Sequence, residues 1–315
     1  MSNSGGNKPS IVFFGSGPVA AKSLELLATS FSVEAVITKP RPVHHKGEVP
    51  VLALAEKLGL NVVMASNKSA LSEVIATQSF ASQIAILIDF GIIVAQDVID
   101  IFPLGIINSH FSLLPQWRGA DPIAFSLLSG QKETGVSLML LVQAMDEGPL
   151  LAQAPMAIEP SYTITTLTDS LIELSYVMLQ QIVPEYISGN VSPAPQEAVS
   201  IAKSTTPSYS RKLSKQDAVL DFSKPAEVLE REIRAYIEWP KSKTQLAGIA
   251  VSIIKAHVVE NTEYTNKAIG SSVILDNKKV GIVTSRGILA IDELKPAGKK
   301  AMTSEAFLNG YGKNL

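Results

Sequence analysis

The side chains best suited to chemistry follow the ends of apolar runs. Of the four histidines, only His110 comes shortly after such a run, Gly105–Asn108, which we interpret as a buried strand. In an extended chain, residues two apart project to the same face, so the amide of Asn108 and the imidazole of His110 can converge on one atom. Asp146 follows the next long apolar run, Gly135–Val142. We therefore predict that three polar side chains meet at one edge of a sheet.

An amide, an imidazole and a carboxylate form a coherent set for acyl transfer to an amine. The carboxylate takes a proton or holds the imidazole charged, while the imidazolium and the amide stabilise an oxyanion. An amine acceptor is itself the nucleophile, so the chain needs no catalytic Ser or Cys. The competing interpretations are that His110 is a structural histidine at a strand end and that Asp146 is a turn residue before glycine.

Strands and helices alternate along the first half of the chain. Short apolar runs predict the strands, and apolar residues at helical spacing predict the helices. This alternation predicts an α/β fold with a Rossmann-like, mostly parallel sheet and helices on both faces, which binds ligands at the carboxyl ends of its strands. The predicted strands are Ile11–Phe14, Val33–Ile37, Asn61–Met64, Gln83–Ile88, Gly105–Asn108 and Gly135–Val142, and the helices are 19–27, Val51–Leu58, Leu71–Thr77, Gln96–Ile101 and Ile164–Ile187.

Composition excludes several classes of protein. The chain has 315 residues, of which 46% are hydrophobic and 18% charged, as is typical of globular proteins, and its length favours two domains. It contains no Cys, which excludes disulfide frameworks, thiolate zinc sites, iron–sulfur clusters and cysteine nucleophiles. The first apolar run, Ile11–Phe14, is too short for a signal peptide or a membrane span. We therefore expect a cytoplasmic protein without a membrane partner.

The second half of the chain differs in composition. Residues 190–207 are rich in Pro, Ser and Thr and predict a linker between a first domain at 1–189 and a second at 208–315. A helix at Pro225–Ala235 and five short strands predict a small barrel or sandwich. From residue 204 onward the chain has 17 Lys and Arg residues and 12 Asp and Glu residues, whereas the preceding part has 10 Lys and Arg and 17 Asp and Glu. This excess of positive charge favours a polyanionic partner for the second domain.

Several motifs resemble one enzyme superfamily. Residues Asn108–Pro122, with Asp146–Gly148 downstream, are similar to the formyltransferases that use 10-formyltetrahydrofolate, whose signature joins an Asn-x-His, a Ser-Leu-Leu-Pro loop and a distant Asp. The resemblance covers nearly the whole chain and is strongest to the methionyl-tRNA formyltransferase family. The other segments that carry it are Leu113–Ile123, Thr134–Val136, Arg234–Pro240 and Leu294–Met302.

The resemblance implies transfer of a formyl group from 10-formyltetrahydrofolate to the methionine α-amino group of initiator tRNA, without a metal. It makes Asn108, His110 and Asp146 the catalytic residues. It also implies a C-terminal domain like an oligonucleotide-binding (OB) barrel that holds the tRNA. The implied folate-binding residues are Ser112, Leu113, Leu114 and Pro115, with Ile88 and Phe90 in the segment 86–94 beside the pterin. The tRNA-binding candidates are Lys39, Arg41 and Lys46, in a loop shorter than in the tRNA enzymes, and Lys295, Lys299 and Lys300 near the C-terminus.

Two other functions stay open. The same three residues could formylate a small amine, such as an amino sugar nucleotide or a purine precursor, although the basic second half argues against this. The chain could also be a non-catalytic RNA-binding protein, against which the intact set of three argues. The alternative interpretation of the basic residues is that they are ordinary surface charges. Gly15-Ser-Gly17 is only a weak signal for dinucleotide binding, because Ala20 replaces the third glycine of that motif. We expect a monomer.

Overall fold

The computed structural model describes residues 8–43, 47–199, 206–260, 266–276 and 278–315. The chain divides into two compact units. The first consists of Met1–Pro122, Glu133–Ala157 and Thr168–Tyr209, and the second of Ile123–Lys132, Ile158–Leu167 and Ser210–Leu315. Within the described ranges, no helix combines the length and the apolar character that crossing a bilayer requires.

A seven-stranded sheet forms the centre of the first unit. Its strands are β1 (Ser10–Phe14), β2 (Ser32–Thr38), β3 (Val62–Met64), β4 (Ala85–Leu87), β5 (Ile106–His110), β7 (Glu133–Leu140) and β8 (Leu150–Ala157), while β6 (Arg118–Gly119) and β9 (Tyr209–Ser210) lie outside it. The order across the sheet is β3-β2-β1-β4-β5-β7-β8. The first five strands are parallel, and β7 and β8 complete the sheet as antiparallel strands.

Local signals explain where the helices begin and end. Pro18, which suits the first turn of a helix, starts α1, and the Asn67 side chain accepts a hydrogen bond from Ala70 N at 3.1 Å at the start of α3. Gly59 ends α2 in the left-handed conformation at φ 64°. The helices are α1 (Pro18–Ser30), α2 (Pro50–Leu58), α3 (Lys68–Ile75), α4 (Gln96–Ile99), α5 (Pro122–Ser129), α6 (Ile164–Ile187) and α7 (Gln196–Val199).

An aromatic cluster fixes the carboxyl ends of the central strands. Phe14, the last residue of β1, packs edge-on against Phe90 with ring centroids 5.5 Å apart and against Phe102 at 6.0 Å. All three rings are buried. The connections from β1 and from β4 run to opposite edges of the sheet, and folds with this strand order bind their ligands in the crevice beyond these strand ends.

The second unit is built on an antiparallel sheet. The elements are α8 (Ala226–Tyr236), β10 (Ser242–Leu246), β11 (Ile249–Val259), β12 (Ser272–Ile274), β13 (Val280–Val283), β14 (Ile288–Pro296), β15 (Met302–Thr303) and α9 (Ser304–Tyr311), with 3₁₀ turns at Lys215–Ala218 and Gly312–Asn314. The strands follow the order β10-β11-β14-β13-β12, with β15 paired to β14. Leu229 and Ile233 on α8 and Phe307 on α9 share one buried core with the sheet.

The predicted fold class, a mostly parallel α/β sheet followed by a small β domain, is confirmed. The elements that the sequence did not predict are β6, α5, β8, α7, β9, β15 and α9. The sequence interpretation also treated 190–207 as a linker, whereas Ala194 pairs with Leu150 through two backbone hydrogen bonds of 2.8 and 3.0 Å, and α7 follows at Gln196. Residues 200–205 of that segment lie outside the described residues.

Candidate active site

Strand β5 places Asn108 and His110 on one face of the sheet. The strand extends through His110, as the alternation argument requires, and pairs with β4 on one side and β7 on the other. Both side chains are largely buried, with residue exposures of 8% and 6%. Ser109 between them points the other way, where its hydroxyl lies 2.7 Å from that of Ser175 on α6.

The loop between β7 and β8 carries Asp146 to the same place. Asn108 Nδ2 donates to Asp146 Oδ1 at 3.3 Å, and His110 Nδ1 lies 3.8 Å from Asp146 Oδ2. The backbone N–H of Gly119 donates to the same Oδ2 at 2.6 Å. The structure therefore brings together the three side chains that the sequence singled out, although they are separated by up to 38 residues.

The backbone of this loop is tightly constrained. Asp146 adopts φ 52°, in the left-handed region that a residue with a side chain occupies only at a cost. At Gly148 a Cβ atom would come within 1.7 Å of the carbonyl oxygen of Leu140, so only glycine fits there. Both features bend the chain sharply between β7 and β8, which brings the Asp146 carboxylate back over β5.

A backbone carbonyl defines which nitrogen of His110 carries a proton. Nε2 lies 2.9 Å from the carbonyl oxygen of Trp117. A carbonyl oxygen only accepts, so Nε2 donates, and Nδ1 is the nitrogen that faces Asp146. Trp117 itself has φ 56°, a left-handed conformation that costs a residue with a side chain about 1–2 kcal/mol. The surrounding structure maintains this strained conformation of Trp117, whose carbonyl oxygen fixes the orientation of the His110 imidazole.

The loop after β5 is held by hydrogen bonds from β7 and β8. Ser137 Oγ donates to the carbonyl oxygen of Ser112 at 2.6 Å and accepts from Leu114 N at 3.0 Å. Gln153 Nε2 donates to the carbonyl oxygen of Leu114 at 2.8 Å. The peptide bond between Leu114 and Pro115 is cis. These bonds give the loop one defined shape beside His110.

The side chains predicted to bind folate all lie in the interior. Ile88, Phe90, Leu113 and Leu114 are at most 3% exposed, Ser112 is fully buried, and Pro115 is buried too. A buried side chain offers little surface to a ligand. If these residues contribute to folate binding, they do so by holding the main chain in place at the carboxyl ends of β4 and β5.

The basic candidates fall into two groups. In the first unit Lys39 is half-buried, Arg41 is exposed, and Lys46 lies outside the described residues. The Lys39 ammonium sits against Gly91, where a Cβ atom would come within 2.7 Å of Nζ. In the second unit all three predicted lysines are exposed around the turn that joins β14 to β15, namely Lys295, Lys299 and Lys300.

Asp89 is an acid beside the crevice that the sequence did not single out. It follows β4 with φ 47°. The residue as a whole is exposed, but its carboxylate lies against Gly17, where a Cβ atom would meet Oδ2 at 1.9 Å. Burial of the carboxyl group raises the pKa of Asp89 to about 6; Lys39 opposes this rise and Asp121 adds to it. No sequence signal identified it, because its surroundings come from β1, β2 and the loop at Asp121.

The sequence also missed Gln196, a buried side chain with an exposure of 2%. Its amide reaches both the loop that carries Asp146 and the guanidinium of Arg118. Arg118 is itself buried and forms an ion pair of 3.1 Å with Glu147. No local pattern could have identified Gln196, because its partners are 48 to 78 residues away in the chain.

The geometry suits an acyl transfer. Asn108 has a second amide hydrogen beyond the one donated to Asp146, and His110 Nδ1 faces the Asp146 carboxylate. An amide donor can stabilise negative charge on an oxygen while the acid–base pair serves an amine. Among the described residues, no group of three or more His, Asp or Glu side chains is arranged to hold a metal ion.

Solved structures share the fold of this chain. The N-formyltransferase from Helicobacter canadensis, in complex with folinic acid and dTDP-3-aminofucose, is 18% identical, with 90% of this chain and 99% of that chain covered and a TM-score of 0.66. WlaRD, a sugar 3N-formyltransferase with dTDP and 5-N-formyl-THF, is 16% identical over 94% of this chain and 100% of the other, with a TM-score of 0.65. HypX from Aquifex aeolicus, with tetrahydrofolic acid, is 14% identical over 98% of this chain and 48% of its own, with a TM-score of 0.64.

Two family models match the sequence itself. The formyl transferase model covers residues 10–183, and the model of the formyl transferase C-terminal domain covers residues 212–312. The first match takes in β5, the loop after it and Asp146. The second takes in the antiparallel sheet of the second unit. The chain belongs to the formyl transferase family.

Proposed function

We propose that this protein transfers a formyl group from 10-formyltetrahydrofolate to a primary amine. The observation that carries the proposal is the convergence of Asn108, His110 and Asp146, within 3.3 and 3.8 Å of one another, at the carboxyl edge of the sheet. Membership of the formyl transferase family supports the same chemistry.

Each of the three side chains has a distinct role in this proposal. The amine attacks the formyl carbon, loses one proton, and displaces the folate nitrogen, which gains one proton. Asn108 Nδ2 and protonated His110 stabilise the negative charge that develops on the formyl oxygen. Asp146 accepts the proton of the amine, directly or through His110, and the same pair returns a proton to the leaving nitrogen.

The folate is proposed to lie in the crevice at the carboxyl ends of β1, β4 and β5. The segment 86–94 and the loop at Ser112–Pro115 border it through main chain held by buried side chains. Ser16 Oγ donates to the carbonyl oxygen of Phe90 at 2.7 Å, which joins the loop after β1 to the loop after β4. This rigid, largely main-chain rim fits the flat, polar edge of a pterin.

The proposed acceptor is the methionine α-amino group of charged initiator tRNA. The basic balance after residue 204 and the exposed lysines Lys295, Lys299 and Lys300 support a polyanionic acceptor. The similarity of Leu294–Met302 to the methionyl-tRNA formyltransferases supports the same choice. An α-amino group titrates near pH 8 in model compounds, so a useful neutral fraction is present at neutral pH.

A small amine on a sugar nucleotide is the second candidate acceptor. It is favoured by the fold shared with the Helicobacter canadensis N-formyltransferase, which holds dTDP-3-aminofucose, and with WlaRD, which holds dTDP. At 18% and 16% identity these likenesses concern the fold. The similar structures thus support a small sugar amine as acceptor at least as well as tRNA, and the following assay decides between them.

One assay separates the two acceptors. Purified protein is incubated with 10-formyltetrahydrofolate and, in parallel reactions, with initiator Met-tRNA, elongator Met-tRNA or dTDP-3-aminofucose, and the formylated product is measured by mass spectrometry. The proposal predicts formylation of initiator Met-tRNA, with kcat/KM at least about tenfold above the other two. Formylation of the sugar nucleotide alone would assign the second candidate, and no product from any acceptor would reject formyl transfer to these amines.

A further inference from the structure

A buried glutamine connects three separate parts of the first unit. Gln196 Nε2 donates to the carbonyl oxygen of Asp146 at 2.7 Å and to that of Gly148 at 3.0 Å. Gln196 Oε1 accepts from Arg118 Nη2 at 2.8 Å. The segment that carries Gln196 is anchored just before it, where Ala194 and Leu150 exchange two backbone hydrogen bonds. The side chain therefore spans from the start of α7 to the loop between β7 and β8.

The orientation of this amide follows from its partners. A carbonyl oxygen only accepts and a guanidinium only donates, so the NH2 group must face Asp146 and Gly148 and the oxygen must face Arg118. One side chain thus makes all three hydrogen bonds, two as a donor and one as an acceptor.

Asp146 needs support of this kind. Its left-handed backbone, at φ 52°, persists only where the surroundings determine it. Apart from the hydrogen bond between its carboxylate and Asn108, the structure holds it at two points: Gly119 N binds the carboxylate at 2.6 Å, and Gln196 binds the carbonyl oxygen. Arg118, which orients Gln196, precedes Gly119 directly in the chain. The two points of support are thus linked to each other through Arg118.

We propose that Gln196 is a positioning residue for the reaction: it holds the Asp146 backbone in its left-handed conformation, so that the carboxylate faces Asn108 and His110. This inference rests on the proposed function, since it assigns Asp146 a role in formyl transfer. It also gives a function to part of the segment 190–207, which looks like a linker in the sequence.

The test is a double-mutant cycle between Gln196 and Asp146. Gln196→Glu keeps the shape and the bond to Arg118 but replaces the donating NH2 with an oxygen that faces two carbonyls. In the wild-type background it should lower kcat about 10- to 100-fold and leave KM for 10-formyltetrahydrofolate within about twofold, because displaced catalytic groups lose rate more than binding. In the Asp146→Asn background it should cause no further loss, because the positioned group is already gone.

Gln96→Glu is the matched control. Gln96 is also the first residue of a four-residue helix, α4, but it is exposed and its amide bonds Asp100. It carries the same change of charge and should keep the wild-type kcat. Rates are measured with initiator Met-tRNA as the acceptor, or with dTDP-3-aminofucose if that is the amine formylated, on variants whose folding is verified by circular dichroism. If Gln196→Glu does not fold, Gln196→Ala replaces it in both backgrounds.

The possible results separate this inference from the proposed function. A slow Asp146→Asn variant together with a fast Gln196→Glu variant overturns the positioning role and leaves the proposed function intact. Equal losses in both backgrounds also overturn the positioning role, because Gln196 would then act independently of Asp146. A wild-type rate for Asp146→Asn itself rejects the catalytic assignment on which both depend.

Discussion

At the scale of single residues, the carboxylates around the crevice have contrasting surroundings. Asp146 accepts hydrogen bonds from Asn108 and from Gly119 N, which hold the carboxylate in place. Asp89 lies against the backbone at Gly17, and its pKa is raised to about 6. The energetic effect of Asp89 on folding should therefore depend on pH.

Replacement of Asp89 by Asn should stabilise the protein at neutral pH. The ordinary carboxyl pKa of 3.8 rises to about 6 in the folded chain, so the unfolded chain loses this proton first. Stability therefore falls as pH rises from about 4 to 6. Asp89→Asn removes this loss, and Asn tolerates the left-handed backbone equally well. In urea unfolding from pH 4 to 8, the difference in unfolding free energy between Asp89→Asn and the wild type should grow in favour of the variant up to about pH 6 and stay constant above that pH.

Asp217→Asn is the control of opposite sign. A hydrogen bond and ion pair with Arg211 lower the pKa of Asp217, so its contribution to stability is present above the ordinary carboxyl pKa and is lost as pH falls through the lowered value. This variant should be less stable than the wild type at pH 7 and approach it in acid. An Asp89→Asn variant that loses stability at pH 8 would contradict the account of Asp89.

At the scale of elements, the active site depends on a sharp bend between β7 and β8. Gly148→Ala should lower both the melting temperature and formyl transfer, because the new Cβ atom would lie 1.7 Å from the Leu140 carbonyl oxygen and displace the loop that carries Asp146. We expect a loss of about 2 kcal/mol or more in unfolding free energy, as for other overpacked sites. Calorimetry and the formyl transfer assay measure the two effects.

Gly310→Ala is the matched glycine control for that bend. Gly310 lies in α9 with open space around a Cβ atom, and alanine favours a helix by about 0.5–1 kcal/mol over glycine. It should keep wild-type activity and hold or raise the melting temperature. A Gly148→Ala variant that behaves like Gly310→Ala would show that the bend does not depend on glycine.

The elements that the sequence predicted well are those specified by local patterns. Strand β5 and helix α6 are continuous runs with clear ends, and the polar residues at the end of β5 identified the site. Strand β8 was missed because it contains Pro155 and half-exposed residues without a clean alternation. Gln196 was missed for a different reason: its role arises from hydrogen bonds to Arg118 and Asp146, which only the folded chain brings close.

At the scale of the whole molecule, charge differs between the two halves of the chain. The excess of Lys and Arg after residue 204 includes the exposed Lys299 and Lys300. If these lysines contact phosphates, Lys299→Ala with Lys300→Ala should weaken tRNA binding and reduce the slope of log K against log salt by about 1 to 2. Filter binding at several salt concentrations measures both, and folate binding should not change.

Lys22→Ala with Lys57→Ala is the control for that pair. It makes the same change in net charge at exposed positions of the first unit, where these lysines pair with Asp169 and Glu25. We expect an unchanged salt slope. Equal effects of the two double variants would mean that tRNA responds to net charge alone, and unchanged binding in the Lys299 and Lys300 variant would remove these residues from the tRNA site.

Single-turnover formyl transfer by Asp146→Asn and His110→Ala, with His257→Ala as the control from the second unit, measures whether the three side chains perform the chemistry. We expect the first two variants to lose about 100-fold or more in rate, on the scale of lost acid–base or oxyanion-stabilising groups, while folate affinity changes far less. His257→Ala should transfer the formyl group at the wild-type rate. Folded Asp146→Asn or His110→Ala protein that turns over as fast as the wild type would contradict the claim that these side chains perform the chemistry.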